Sequence, residues 1–267
     1  MFSLRVFVAG VCMLCGALAQ TSTVCPDYDS SKIKLVTFDC FAALMQWENS
    51  MYESVAEVMM PQLTQDQVYT LVQKWESAYG SYMQNGGTVF EEGVTGAFPF
   101  SWMAATSLKD IGKSMDITFT RDEFHELMLC WGRLLPWNNT QETLETLVAN
   151  NFTIAILSNG DTQTLSNAAT VFKPPVEFSY IFSSDFPVGA FKPQSAIYYQ
   201  VLDRTQFKVE EVLHVAGGAS DGGGARDAGL FSAVLHSTSF AEPQTLQSTQ
   251  PCFDLPDITY VPGILGL

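Results

Sequence analysis

The chain has 267 residues, of which 47% are hydrophobic and 15% are charged, a composition that can bury a substantial core. Acidic residues outnumber basic ones by 28 to 13, so the field around the protein is negative. This balance argues against nucleic acid and anionic membrane surfaces as partners. The length fits one large domain or two modest ones.

The first 19 residues have the pattern of a secretory signal peptide. Arg5 precedes an apolar run from Val6 to Leu14, and the small residues Ala17-Leu18-Ala19 precede Gln20. The alternative is a membrane anchor, but the run is shorter than the roughly 20 residues that a bilayer crossing needs. We therefore expect residues 1–19 to be a signal peptide, and the mature protein to be extracellular and not bound to a membrane.

Sequons and cysteines favour the same compartment. Asn138-Asn139-Thr140 and Asn151-Phe152-Thr153 are sequons that only an exported chain can use, so we expect a glycoprotein. Four cysteines follow residue 19, and an oxidising compartment would allow them to form disulfides: Cys25, Cys40, Cys130 and Cys252. They allow three pairings, one of which, Cys25 with Cys252, would tie the two ends of the mature chain together.

The chain then alternates between strand and helix patterns. The apolar run Ile33–Phe38 predicts a buried strand that ends at Asp39. Residues 46–137 have helical periodicity instead, with predicted helices at Met51–Met60, Gln65–Met83 and Arg121–Leu134. Beyond them, strands are predicted at Phe152–Leu157, Tyr180–Phe182, Val212–Val215 and Phe231–Leu235, and helices at Thr162–Val171 and Ser195–Leu202. The pattern predicts an α/β fold, in which a Rossmann-like parallel sheet (20–45 and 138–267) carries an inserted helical cap (46–137).

Polar residues follow four of the predicted strands, namely Asp39, Ser158-Asn159, Lys192 and Asp221. Because ligands of parallel sheets bind where the carboxyl ends of the strands meet, these side chains can converge on one cleft. A carboxylate can act as a nucleophile when a nearby lysine keeps it ionised, which suits Asp39 and Lys192. Ser158 could bind an anionic group of the substrate, and Asp221 could orient the lysine or a hydrolytic water.

Each of these residues also has a purely structural interpretation. Asp39 could cap a turn, and Ser158-Asn159-Gly160 could be a simple turn. Gly222-Gly223-Gly224 could be a flexible loop or the start of a helix. Cys40 alternates away from the cleft, which favours packing or a disulfide over a role as nucleophile.

Four segments together resemble the motifs of the haloacid dehalogenase superfamily, in the order and spacing of that superfamily: "LVTFDCFAAL", "TIAILSNGDTQTL", "GAFKPQSAIYYQVL" and "VLHVAGGASDGGGARDAG". The similarity is greatest to the L-2-haloacid dehalogenase branch, on account of "AILSNG" and of the Lys-Pro pair followed by Tyr198. The resemblance implies that Asp39 displaces a halide from a small 2-halo carboxylic acid and forms an ester that water cleaves, without a cofactor. It implies that Ser158 and Asn159 bind the substrate carboxylate, and that Lys192, Tyr198 and Asp221 support the nucleophile and ester hydrolysis.

The same comparison argues against the phosphatase branch, which uses Mg²⁺. Its motifs place carboxylates at the positions of Phe41 and Gly217, and Asp39 with Asp221 alone would hold a hard cation poorly. Phe41 cannot donate a proton to a leaving group, which excludes a role as general acid. We assign Phe41 to substrate binding instead. The three histidines, His125, His214 and His236, lack metal-ligand spacing, and we predict no metal site.

Departures from the dehalogenase pattern support a second hypothesis. Ala43, Ala216 and Gly218 stand where that branch has Thr, Ser and Asn. No arginine occurs between Arg5 and Arg121 to accept the leaving halide, and Gln73 or Lys74 is the nearest candidate. The alternative function is therefore an inactive secreted binding protein with the same fold. A homodimer is a further expectation.

Overall fold

The computed structural model describes residues 25–60, 62–84, 99–185, 187–236 and 249–267. The predicted signal peptide at residues 1–19 lies outside this part of the chain. Within the described residues, none of the helices is both long and apolar enough to cross a membrane.

A parallel sheet of six strands forms the core, in the order β3-β2-β1-β4-β5-β6. The strands are β1 (Leu35–Phe38), β2 (Thr153–Leu157), β3 (Tyr180–Phe182), β4 (Val212–Ala216), β5 (Phe231–Leu235) and β6 (Phe253–Leu255). The predicted α/β class is confirmed, and five of these strands lie where the sequence placed them. The edge strand β6 was not predicted.

Within the described residues, β1 is followed by four helices: α1 (Trp47–Met59), α2 (Gln65–Gln84), α3 (Pro99–Ser114) and α4 (Arg121–Leu129). Five more follow in the core: α5 (Thr140–Ala149), α6 (Thr162–Ala169), α7 (Ser195–Arg204), α8 (Ala219–Asp227) and α9 (Val261–Ile264). Helices α3, α5 and α9 were not predicted. We call α1–α4 the cap. The chain enters and leaves the cap through adjacent segments, because the Gln46 amide donates to the Leu135 carbonyl at 2.7 Å and the Trp137 amide to the Leu44 carbonyl at 3.0 Å.

Apolar side chains cover both faces of the sheet. Since alternate residues of a strand point to opposite faces, Val36 and Phe38 join a larger cluster that continues into the cap, whereas Leu35 joins a smaller one. Helix α2 contributes to the larger cluster from one stripe with helical spacing, formed by Val68, Leu71, Val72, Trp75 and Tyr79. This packing holds the cap against the core.

A disulfide joins Cys25 to Cys252, with Cα atoms 5.1 Å apart and a sequence separation of 227. Of the pairings that the sequence left open, the structure therefore contains the one between Cys25 and Cys252. Cys40 and Cys130 are free and buried. Burial raises the pKa of the Cys130 thiol to about 12, so it stays protonated at neutral pH.

Candidate active site

Asp39 lies directly after β1, at the point where the order of the strands reverses. The chain continues from β1 to β2 and β3 on one side and later to β4, β5 and β6 on the other, which opens a crevice at the carboxyl end of β1. The Asp39 side chain also caps a short π-helical turn, because its Oδ2 accepts from the amides of Ala42 at 2.8 Å and Ala43 at 3.3 Å. The structural interpretation of Asp39 as a cap is therefore confirmed, and its role as a nucleophile stays a prediction.

Lys192 bridges two carboxylates in this crevice. Its Nζ donates to Asp39 Oδ1 at 3.0 Å and to Asp221 Oδ2 at 2.8 Å. The lysine side chain is only 3% exposed. Burial alone would lower the pKa of Lys192, but the charges of Asp221 and Asp39 more than offset this and raise it. Lys192 therefore remains protonated, and the three groups together carry one net negative charge.

Asp221 lies in the first turn of helix α8, so the glycine-rich segment is a helix and not a flexible loop. Its Oδ1 accepts from the Tyr198 hydroxyl at 2.9 Å and lies 3.0 Å from His214 Nε2. Burial opposes ionisation, but the charge of Lys192 and contact with His214 hold the pKa of Asp221 well below its usual range. Asp221 is thus a fixed carboxylate beside Lys192.

Ser158 and Asn159 follow β2 and hold the site together. The Ser158 hydroxyl donates to Asp39 Oδ1 at 3.0 Å. Asn159 Oδ1 accepts from the Lys192 backbone amide at 2.7 Å, and its Nδ2 donates to the Tyr79 hydroxyl at 3.2 Å. Both side chains therefore have partners within the protein. Their binding of a substrate carboxylate, which the resemblance implied, stays a prediction.

Aromatic rings pack against one another where the core meets the cap. The Phe41 ring packs 5.3 Å from that of Phe100 and 5.6 Å from that of Trp131, and Tyr79 lies 5.7 Å from Trp131, between ring centroids. Burial and the negative charge of Asp39 raise the pKa of Tyr79, so its hydroxyl stays neutral. Phe41, assigned to substrate binding, therefore lies where the core meets the cap.

Gln73 and Lys74 do not take the place of the missing arginine. Both are exposed, because they lie on α2 outside the apolar stripe that faces the core. Lys74 Nζ donates instead to the hydroxyl of Ser114 in α3 at 3.2 Å. The cap residue that reaches the site from α2 is Tyr79.

The residues at the site do not fit a divalent cation. Gly217, where the phosphatase branch has a carboxylate, has no room for a side chain, because an added Cβ would lie 2.3 Å from Ala42 Cβ. Lys192 Nζ occupies the position between Asp39 and Asp221 that a shared cation would need. Across the described residues, no three His, Cys, Asp or Glu side chains are grouped as a metal site would require.

Comparison with known proteins identifies the family. Residues 33–229 match the model of the haloacid dehalogenase-like hydrolases. The chain belongs to this family. It is 25% identical over 173 residues to (S)-2-haloacid dehalogenase 1 of Pseudomonas sp. (strain CBS-3), which covers 64% of this chain and 75% of that protein.

Solved structures of low identity share the fold of this haloacid dehalogenase-like hydrolase. A defluorinating L-2-haloacid dehalogenase superposes with a TM-score of 0.74 at 22% identity, over 88% of this chain and 96% of that one. The L-2-haloacid dehalogenase of Xanthobacter autotrophicus, with chloropropionic acid covalently bound, superposes with a TM-score of 0.68 at 19% identity, over 88% and 98% of the two chains.

Two residues of this hydrolase site were missed in the sequence. His214 was assigned to the core strand, where it does lie, but its contact with Asp221 depends on helix α8 turning back over β4. Tyr79 was treated only as part of a cap helix. The spacing of the α2 stripe could have shown that Tyr79 faces inward, but not that it meets Asn159.

Proposed function

We propose that this protein is a metal-independent hydrolase that displaces halide from a small 2-halo carboxylic acid by means of Asp39. The observation that carries the proposal is the Asp39 carboxylate, held at the end of β1 by Lys192 and faced by a second carboxylate, Asp221. The names of the curated relatives favour the (S) enantiomer. Displacement and ester hydrolysis need a carboxylate nucleophile, a lysine beside it and a second carboxylate, and this buried site contains all three.

In the first step, one oxygen of Asp39 attacks C2 of the substrate. A C–O bond forms, the carbon–halogen bond breaks, and the halide leaves with the bonding electron pair. Lys192 donates to Asp39 Oδ1 and offsets part of the charge of the incoming anion. The rings of Phe41, Phe100 and Trp131 pack together where the core meets the cap, and we assign to them the exclusion of water during this step.

In the second step, water attacks Cγ of the Asp39 ester. The carbonyl oxygen of that ester becomes negatively charged, and each Asp39 oxygen has two donors that can stabilise this charge: Lys192 and Ser158 at Oδ1, and the Ala42 and Ala43 amides at Oδ2. Breakage of the bond between Cγ and the alkoxide oxygen releases a 2-hydroxy acid and restores the Asp39 carboxylate.

Halide release tests this proposal. The protein is incubated with (S)- and (R)-2-chloropropionate and 2-bromopropionate, with and without EDTA, and free halide is measured. We expect halide release by the parent protein to continue in EDTA and to be lost completely in Asp39→Asn. Asp203→Asn, a matched substitution at an exposed site, should release halide at the parental rate. Intact mass should show an ester adduct on the parent protein but not on Asp39→Asn. Loss with EDTA and rescue by Mg²⁺ would contradict the proposal.

One observation favours the second candidate, a non-catalytic binding protein. Two carboxyl groups, Asp39 and Asp221, face one cation, Lys192, and helices α1, α2 and α3 contain no arginine to offset the charge of an anionic substrate. Ala43, Ala216 and Gly218 also leave out three polar groups of the dehalogenase pattern. An intact fold without turnover of any halo acid, but with saturable binding of a small carboxylate, would favour this candidate.

We also propose that the protein is exported. The disulfide between Cys25 and Cys252 supports this, because such bonds persist in oxidising compartments. Asn138 and Asn151 are both exposed, so glycans can be accommodated on them. Expression in a secreting eukaryotic host should give a product that starts near residue 20 and loses mass when treated with a glycosidase. A product in the medium that keeps residues 1–19 would contradict the predicted cleavage.

A further inference from the structure

A row of polar side chains lies buried beneath the site. In the parallel register, His214 of β4 is flanked by Thr37 of β1 and Ser232 of β5, so the three side chains share one face of the sheet. All three are fully buried. Ser232 donates to the Gly222 carbonyl of α8 at 2.8 Å, and His214 lies 2.9 Å from Thr37 Oγ1 and 3.0 Å from Asp221 Oδ1. Polar groups thus join the sheet to the first turns of α8, which carry Asp221.

The contact of His214 with Asp221 has a fixed direction. The ionised carboxylate of Asp221 accepts only, so His214 Nε2 must be the donor. The Thr37 hydroxyl contacts the other ring nitrogen, Nδ1. Asp221 Oδ1 thus contacts His214 and Tyr198, and its Oδ2 contacts Lys192.

This arrangement bears on the polar groups that the chain lacks. Ala43, Ala216 and Gly218 offer no side-chain donor, where the dehalogenase pattern has three polar side chains. His214, inside β4, offers a donor to Asp221. The His214 ring is fully buried and contacts both Thr37 and Asp221, so the direction of its donor is fixed.

We propose that His214 is a positioning residue that holds Asp221 in place as the base for hydrolysis of the ester. The inference rests on the proposed function and assigns a residue to its second step. As the oxygen of water bonds to Cγ of Asp39, one water proton passes to Asp221. The Cγ–alkoxide bond then breaks, and the alkoxide takes that proton and leaves as the 2-hydroxy acid. The second water proton is released to solvent when Asp39 becomes a carboxylate again.

Two substitutions separate the two contacts of His214. His214→Gln keeps an amide donor near the position of Nε2 and so keeps the contact with Asp221. His214→Asn places its amide near Nδ1, so it reaches Thr37 but not Asp221. His125→Asn makes the same change at an exposed histidine of the cap and serves as the matched control. The thermal midpoint of each variant shows whether it folds.

Rapid-quench measurements with 2-bromopropionate follow bromide and 2-hydroxy acid separately. In His214→Asn we expect bromide release at the parental rate and hydroxy acid formation slowed by about tenfold or more, since a base contributes about 100-fold or more. In His214→Gln we expect both rates to be close to those of the parent. Intact mass should show the ester accumulating on Asp39 in His214→Asn only. His125→Asn should match the parent in every respect.

Three results would overturn the inference while leaving the proposed function intact. They are unchanged hydroxy acid formation in a folded His214→Asn, equal slowing in the Gln and Asn variants, and slowing of bromide release itself. A merely structural role would lower the thermal midpoint of both variants without separating the two steps. Absence of bromide release from the parent protein would instead contradict the proposed function, and this inference would fall with it.

Discussion

The two walls of the cleft are built from different kinds of side chain. The core wall is polar and fully connected, since Lys192 joins Asp39 to Asp221 and His214 supports Asp221 from β4. The cap wall consists of rings, and the neutral hydroxyl of Tyr79 accepts a hydrogen bond from Asn159. Under the proposed function, the core performs the chemistry, whereas the cap excludes water and selects the substrate by shape.

The largest effect should come from Lys192→Met, which removes the cation of the core wall. Single-turnover halide release should fall by about 100-fold or more, because two adjacent buried carboxylates cannot both stay ionised. The free energy of unfolding, measured with urea, should fall by about 3–5 kcal/mol, as when one partner of a buried ion pair is removed. Adding Asp221→Asn should restore part of that stability. If Lys192→Met released halide at the parental rate, the polar side chains of the core wall would not be what drives the reaction.

The next largest effect concerns stability alone. Replacing both Cys25 and Cys252 by Ser removes a link across 227 residues of the core, and the free energy of unfolding should fall by about 2–5 kcal/mol. Halide release below the melting temperature should not change, because β6 lies at the sheet edge, separated from β1 by β4 and β5. A slower reaction in the folded variant would show that the edge of the core is coupled to the site.

A smaller effect is expected on the cap side. Tyr79→Phe removes the contact with Asn159, and kcat/KM for halide release should fall roughly fivefold, which corresponds to about 1 kcal/mol for a neutral hydrogen bond. Tyr69→Phe, on the same helix but 47% exposed, is the matched control and should behave like the parent. A loss as large as that of Lys192→Met would mean that the cap takes part in the chemistry.

The sequence predicted the strands better than the helices for a physical reason. Buried parallel strands are short apolar runs, and the polar residues at their ends, such as Asp39 and Lys192, stand out against them. Helix α8 was left open between a flexible loop and the start of a helix, because glycine disfavours helices. Packing overrides that preference here, since an added Cβ at Gly224 would lie 2.7 Å from Pro193 Cβ and 2.8 Å from the Tyr198 hydroxyl oxygen.

Contacts across the cleft could not be predicted from periodicity. The pairing of His214 with Asp221 needs the turn between β4 and α8, and that of Tyr79 with Asn159 needs the closed position of the cap over the core. A pattern along the chain identifies the side chains of a site, but the partners of each depend on the way the elements pack.

Acid should affect the core wall through Asp221. Its folded pKa lies below the ordinary value of 3.8, so between these two pH values the unfolded chain binds more protons than the folded one. The stabilisation is therefore complete above about pH 4 and is lost as the pH falls through the folded pKa. Urea midpoints of the parent and of Asp221→Asn, measured across the acid range, give the difference in stability between the two proteins. This difference should shrink below about pH 4. A constant difference would show that charge is not what Asp221 contributes.

The smallest effect should have the opposite sign, in the cap. Burial, and then the charge of Glu48, raise the pKa of Glu76 above its ordinary value of 4.5, so the folded protein binds a proton more readily than the unfolded chain. Ionised Glu76 therefore weakens the fold, and this cost appears as the pH rises through the folded pKa. Glu76→Gln should raise the free energy of unfolding at neutral pH by less than about 0.5 kcal/mol, because the side chain is partly solvated. The gain should vanish in acid, where Glu76 is protonated in both states. A destabilised Glu76→Gln at neutral pH would show that the cap, like the core, depends on an ionised carboxylate.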